Sequence, residues 1–227
     1  MSVTSRFSAM IGLTVLLSFV PAARSQQEFP PPQGNGRVVL VSSGVSGVEH
    51  YREITADIAK LGYDAVLVDG SKEEGTRGAA VKADMAKALG MPHAMPGKLA
   101  LVGFSAGGGE VMYYGSQWPD QVAVIIAWFP ANSFIKDVPG FGNRIAVPLI
   151  VFAGGEDHYR KECCTAEKGQ ALADSARAAG HMFDFTVYPD ADHDFSKGGI
   201  HYNAKASADA FEKTAAALMK YFPPNGN

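Results

Sequence analysis

The stretch Lys98-Leu-Ala-Leu-Val-Gly-Phe-Ser-Ala-Gly-Gly-Gly109 decides how this chain reads. An apolar run from Leu99 to Val102 has the composition of a strand buried on both faces. Gly103-Phe-Ser-Ala-Gly107 then supplies a Gly-x-Ser-x-Gly turn, and Glu110 to Trp118 continues as a helix-compatible segment. Strand, tight turn and helix, with a serine at the apex, are the sequence form of a nucleophile elbow. The glycines act sterically, since without Cβ atoms the helix can begin close behind the strand. Ser105 is thereby set near a helix N-terminus, where unpaired N–H groups and the helix dipole favour developing negative charge. The pattern fixes only three positions, and a serine that merely caps a helix would satisfy it equally. Its meaning rests on what surrounds it.

Strands and helices alternate on both sides. Upstream, Arg37 to Val41 reads as a strand, Ser42 to Gly47 as a small-residue loop, and Glu49 to Leu61 as a helix closed by Gly62. Tyr63 to Asp69 is the next strand and Gly75 to Leu89 the next helix. Downstream, Gln121 to Phe129, Val147 to Phe152 and Phe183 to Tyr188 read as strands, and Ala166 to Ala179 and Ala204 to Tyr221 as helices. This order predicts an α/β fold, a mostly parallel sheet with helices on both faces. No insertion is long enough to form a large cap domain. In such sheets the functional loops follow the carboxyl ends of the strands.

That rule locates the partners a serine nucleophile needs. A serine at its free pKa is weak, so it requires a base, and the base requires an orienting acid. Ala153-Gly-Gly-Glu-Asp157 follows one strand, and Pro189-Asp-Ala-Asp-His193-Asp-Phe195 follows the last. Asp157 is the candidate acid, with Glu156 its competitor, and His193 is the candidate base. Asp192 and Asp194 flank the histidine; pointed at it, they would raise its pKa.

Taken together, these motifs resemble the dienelactone hydrolase family of the α/β-hydrolase fold. Val102 to Gly108 resembles the family's elbow, Gly154 to Asp157 its acid loop, and Tyr188-Pro-Asp-Ala-Asp-His193-Asp-Phe195 its histidine loop. Gly47-Val48, the helix after it, Gly62-Tyr63 and Asp69 resemble its first βαβ unit. The resemblance spans nearly all of residues 37 to 221. It implies an oxyanion hole built from the N–H of Ala106 and the N–H of Val45, with Gly44 the near alternative. The namesake enzyme carries a cysteine where Ser105 stands, Gly44 replaces an acidic residue, and the segment between Asp69 and the elbow is too short to carry over its substrate-binding arginines. The implied activity is thus hydrolysis of small carboxylic esters through an acyl-enzyme, rather than of dienelactones themselves. Thioesters, lactones and short peptides would suit the same groups, and a non-catalytic binding protein on the same fold is the alternative from a different class. Tyr159, Trp128 and Phe129 follow functional strands and are candidate pocket residues, as is Gly44.

Bulk properties narrow the rest. The 227 residues are 47% hydrophobic and 19% charged, with a formal charge of -3. That suits one domain with a sizeable core at residues 37–222, followed by a tail at 223–227. No basic cluster suggests nucleic acid. The reading calls for a small-molecule ester, no cofactor and no metal; oligomeric state is left open. Residues 1–25 read as a signal peptide: Arg6, an apolar Met10 to Val20, then small residues Ala23 and Ser25 before Gln26. The expected location is periplasmic or secreted, without stable membrane insertion after processing. Gln26 to Gly36 reads as an extended leader. The two cysteines, Cys163 and Cys164, are adjacent. They form no disulfide framework, and free thiols, a vicinal bond and pairing between chains all remain open.

Overall fold

A computed structural model describes residues 26–72 and 75–224, together with Met1. The signal peptide expected at 1–25 otherwise lies outside the described residues. Among the described residues, seven strands form one sheet: β1 (Gln27–Phe29), β2 (Gly36–Ser42), β3 (Asp64–Val68), β4 (Ala94–Phe104), β5 (Val122–Trp128), β6 (Leu149–Gly154) and β7 (Phe183–Tyr188). Their order is β1-β3-β2-β4-β5-β6-β7, and all pairings are parallel except that of β1 with β3. The helices are α1 (Arg52–Lys60), α2 (Ala79–Ala88), α3 (Ser105–Glu110), α4 (Val138–Arg144), α5 (Ala166–Ala178) and α6 (Ala204–Tyr221).

The central strands are buried on both faces, which is why they read as continuous Val, Ile, Leu and Ala runs. Their alternate residues feed two separate cores. Val39, Val41, Val102 and Ile126 pack with Ile54 and Ile58 of α1 and Ala210 and Leu218 of α6. Leu40, Leu101, Ile125 and Val151 pack on the other face with Val81 of α2, Phe141 of α4 and Leu172 of α5. The helix ends follow local chemistry. Thr165 and Asn203 accept the N–H of Lys168 and Ala206 to cap α5 and α6, while Gly62 and Gly180 take positive φ just beyond α1 and α5.

Two elements differ from expectation. The leader segment is extended but not loose: Gln27 pairs opposite Leu67 and Phe29 opposite Ala65, adding an antiparallel edge strand. Residues 138–144 form α4 in spite of Pro139, Gly140 and Gly142. The proline falls in the first turn, where its missing N–H costs nothing, and Asp137 caps the helix by accepting the Gly140 N–H. Among the described residues, no helix is long and apolar enough to cross a membrane.

The chain leaves β2 toward β3 on one side and returns as β4 on the other. This topological switch leaves a crevice between the carboxyl ends of β2 and β4, the place where open α/β sheets bind ligands. Ser43 to Gly47 and Gly103 to Ser105 border it.

Candidate active site

Ser105 follows β4 directly and begins α3 with φ of 49°, a left-handed conformation that a serine adopts only when its surroundings impose it. The imposition comes from close packing. A Cβ on Gly107 would lie 2.2 Å from Ser42 Oγ, and one on Gly103 would lie 2.7 Å from the Gly108 Cα. The Ser105 carbonyl also accepts the Ala131 N–H at 2.8 Å, fixing the turn to the loop after β5. Beyond Glu110 the helix widens into a π turn, Val111–Gly115, a feature often found beside functional sites.

The loops after β6 and β7 bring up the other two groups. They are tied to each other: the Gly155 N–H donates to the Tyr188 carbonyl at 2.8 Å, and the Glu156 N–H to that of Ala191 at 3.0 Å. Ser105 Oγ lies 2.9 Å from His193 Nε2, and His193 Nδ1 lies 2.7 Å from Asp157 Oδ2. All three residues are buried. The other carboxylate oxygen, Asp157 Oδ1, accepts the Tyr159 N–H at 3.1 Å, so the acid is held at both ends. Tyr159 stacks on the imidazole at 4.5 Å between ring centres, and Phe129 meets it edge-on at 5.2 Å. Glu156, the competing acid, is exposed.

The flanking acids do other work. Asp192 accepts the His193 backbone N–H. Asp194, buried and with φ of 61°, turns toward the loop after β2. There it accepts from the Tyr51 hydroxyl, the Ser46 hydroxyl and the Ile200 N–H, at 3.2, 3.2 and 3.1 Å. Burial first, and then the Asp194 charge, push the Tyr51 hydroxyl far above its ordinary pKa, so it remains a donor. This contact pins the histidine loop to the candidate oxyanion loop. Tyr51 falls within the segment Glu49 to Leu61 that reads as a helix, and its second role had no sequence signal.

Val45 and Ala106 line one cavity of about 590 Å³ together with Ser105 and Tyr159. The Ala106 N–H lies in the first turn of α3, where amides have no acceptor within the helix. Val45 stands at the tip of a turn closed by the Gly47 N–H on the Gly44 carbonyl. Gly44 is packed so closely that a Cβ there would lie 2.9 Å from Ser105 Cβ.

Trp128 requires a correction. It is not a pocket residue: it is 0% exposed and packs among Phe104, Phe152 and Phe195, with its indole N–H on Thr214 Oγ1. As the last residue of β5 it points into the sheet's core, and only the loop beyond β5 reaches the crevice. The walls come instead from Phe134 and Lys136 after β5 and from Arg160, Glu162 and Cys163 after β6. Cys163 and Cys164 are bonded to each other. Donor atoms of Asp157, Cys164 and His193 lie within 4.8 Å of one another. The sulfur is committed to the disulfide and the other two groups to their mutual hydrogen bond, so the trio is not arranged as a ligand set.

Residues 67–222 match the dienelactone hydrolase family. The chain belongs to that family. It is accordingly a carboxylic-ester hydrolase of the dienelactone hydrolase type. A relative from Synechocystis sp. that carries a carboxymethylenebutenolidase name is 28% identical over 218 residues, covering 81% of this chain and 86% of its own. A Klebsiella pneumoniae structure with a dienelactone hydrolase name superposes with a TM-score of 0.73 at 19% identity, over 86% of this chain and 92% of its own. Thermogutta terrifontis esterase 2, solved phosphorylated by paraoxon, superposes with a TM-score of 0.66 at 16% identity, over 89% and 90%. At these identities the solved structures speak to the fold. In this member of the dienelactone hydrolase family the elbow apex is a serine, and the two cysteines are bonded to each other.

Proposed function

We propose that this dienelactone hydrolase family member is a serine hydrolase that cleaves small carboxylic esters through an acyl-enzyme. One observation carries the reading: an unbroken hydrogen-bonded chain from Ser105 Oγ through His193 to Asp157, opening on the cavity. His193 Nε2 takes the Ser105 proton as Oγ attacks the acyl carbon. Asp157 holds Nδ1–H and stabilises the imidazolium that forms. The Ala106 and Val45 N–H groups receive the charge on the carbonyl oxygen, and each such donor is worth about 3 kcal/mol in the transition state. His193 then passes its proton to the departing alkoxide. Water, activated by the same imidazole, releases the acid. The Thermogutta esterase supports the assignment by analogy, since it is an esterase of this fold that an organophosphate modifies covalently. Thioesters and lactones would enter the same chemistry, and an ester, thioester and lactone panel separates them.

Turnover of p-nitrophenyl acetate and labelling by a serine-reactive fluorophosphonate test the reading together. Ser105→Ala is expected to abolish labelling and to lower kcat by about 10⁴-fold or more. Equal turnover in wild type and variant would rule out the serine mechanism.

A further inference from the structure

We propose that the vicinal disulfide Cys163–Cys164 is a positioning device for the base and the pocket wall, and that its reduction reversibly lowers esterase turnover. The proposal rests on the serine-hydrolase reading above.

The disulfide lies in the segment between Asp157 and α5, and Tyr159, Arg160, Glu162 and Cys163 of that segment line the cavity. Tyr159 stacks on His193 and gives its N–H to Asp157. Arg160 and Lys161 follow with φ of 47° and 68°, two consecutive side-chain-bearing residues in the left-handed region. Such a pair is unfavourable and persists only where the chain on either side holds it. On one side is the Tyr159–His193–Asp157 cluster. On the other is the disulfide, one residue beyond Glu162. The Cys163 N–H closes the turn by donating to the Tyr159 carbonyl at 3.2 Å.

The cysteines also bind this segment to the opposite wall. The Cys163 carbonyl accepts the N–H groups of Asn132 and Ser133 at 2.8 and 3.0 Å. The Asn132 side chain donates to the Thr165 carbonyl at 3.1 Å. Their neighbour Ala131 holds the Ser105 carbonyl. A path of short contacts therefore runs from the cysteines to the backbone of the nucleophile. Meanwhile Cys164 is 1% exposed, with its sulfur within 4.8 Å of the donor atoms of Asp157 and His193. A bond between adjacent residues restricts the intervening peptide, so it fixes where the Cys163 carbonyl points. Breaking it frees that carbonyl, the left-handed turn and the Tyr159 ring together.

Cys163 is half-buried and lines the cavity, which gives a small reductant its line of approach. A water-soluble trialkylphosphine serves as probe, because unlike a thiol it does not itself cleave activated esters by thiolysis. The phosphine attacks one sulfur and the S–S bond breaks. The other sulfur leaves as a thiolate and takes a proton from water. Hydroxide then converts the thiophosphonium to phosphine oxide and the second thiol. The phosphine loses two electrons and the disulfide gains them.

The experiment follows p-nitrophenyl acetate turnover of the whole protein before reduction, after reduction with two thiols titrated per chain, and after reoxidation. Reduction is expected to lower kcat about tenfold, as a sub-ångström misplacement of the base would. KM should change less than kcat, the far-ultraviolet circular dichroism should be unchanged, and reoxidation should restore activity. Cys163→Ala/Cys164→Ala should match the reduced protein and ignore phosphine. Unchanged kcat in fully reduced protein overturns the proposal. So does a loss of activity that tracks loss of helical signal, or a phosphine effect that persists in the double variant. Failure of the serine reading shows separately, as activity surviving Ser105→Ala in the oxidised protein.

Discussion

The two ends of the sheet each hold a carboxylate in hydrogen-bond contact with a histidine. At the carboxyl end Asp157 Oδ2 faces His193 Nδ1 at 2.7 Å, and at the amino end Glu28 Oε1 faces His93 Nδ1 at 3.1 Å. The contacts look alike and their settings differ. His193 is buried, its second nitrogen meets a hydroxyl in a left-handed turn, and a cavity opens in front of it. His93 is substantially exposed, and Glu28 also accepts its backbone N–H, which fastens the edge strand β1 to the start of β4. An acid–imidazole pair is therefore a common structural clasp. The catalytic role proposed above falls to the pair whose far nitrogen meets the Ser105 hydroxyl.

The same isosteric change at the two ends should give opposite results. Asp157→Asn is expected to lower kcat by about 10⁴-fold while leaving the fold intact, because the amide favours the wrong imidazole tautomer. Glu28→Gln should leave kcat within about twofold, as expected of a distant and independent position. Ester turnover of the two purified variants, each checked by circular dichroism, makes the comparison. Comparable losses in both would erase the distinction drawn between the two clasps.

A smaller effect is expected at Gly44, in the turn after β2. A Cβ there would lie 2.6 Å from the Tyr51 hydroxyl and 2.9 Å from Ser105 Cβ. Either the Tyr51–Asp194 contact or the nucleophile must shift. Gly44→Ala should lower kcat about 10- to 100-fold, the scale of a misplacement near 1 Å, with KM and the fluorophosphonate-labelled serine retained. Wild-type kcat in Gly44→Ala would show that the loop has more freedom than its packing implies.

The carboxyl end of the sheet is largely legible in the sequence because its requirements are local. A serine elbow needs small neighbours at fixed spacing, and Gly103 and Gly107 announce it. The proposed acid and base must follow strands, and Asp157 and His193 come after β6 and β7. The parallel sheet is legible for the same reason, since burial on both faces writes uninterrupted apolar runs. The walls of the cavity are not. Phe134, Lys136 and Arg160 reach it through loops whose course is set by tertiary hydrogen bonds such as Asn132 to the Cys163 carbonyl, and no periodicity records those. Trp128 falls outside the cavity because the end of a strand fixes which loop is near the site, not which face its last side chain takes. The edge strand β1 leaves no mark of its own, because three residues in a leader carry too little pattern and their pairing depends on β3. Asp64 is likewise invisible as anything but a strand residue.

Asp64 gives the subtlest test of the contrast, because at the amino end ionisation bears on stability rather than on chemistry. Its carboxyl is fully buried at the start of β3, close to Glu28 and His93. Burial first, and the neighbouring Glu28 charge second, push it up to about 6 from an ordinary value of 3.8, with His93 opposing. The folded protein thus binds this proton more tightly than the unfolded chain does. Its contribution is fully favourable below about pH 3.8 and is lost as pH rises toward 6, so that above pH 6 the fold carries the full cost of a buried charge. Asn is neutral at every pH and avoids that cost. Asp64→Asn should therefore raise the unfolding midpoint by about 2–4 °C at pH 8, the shift that roughly 1 kcal/mol produces in a domain of this size. The gain should shrink toward zero near pH 4, and ester turnover should not change at either pH. A stability gain that is the same at pH 4 and pH 8 would mean the substitution acts through packing, and that the buried carboxyl is not the titrating group at this end of the sheet.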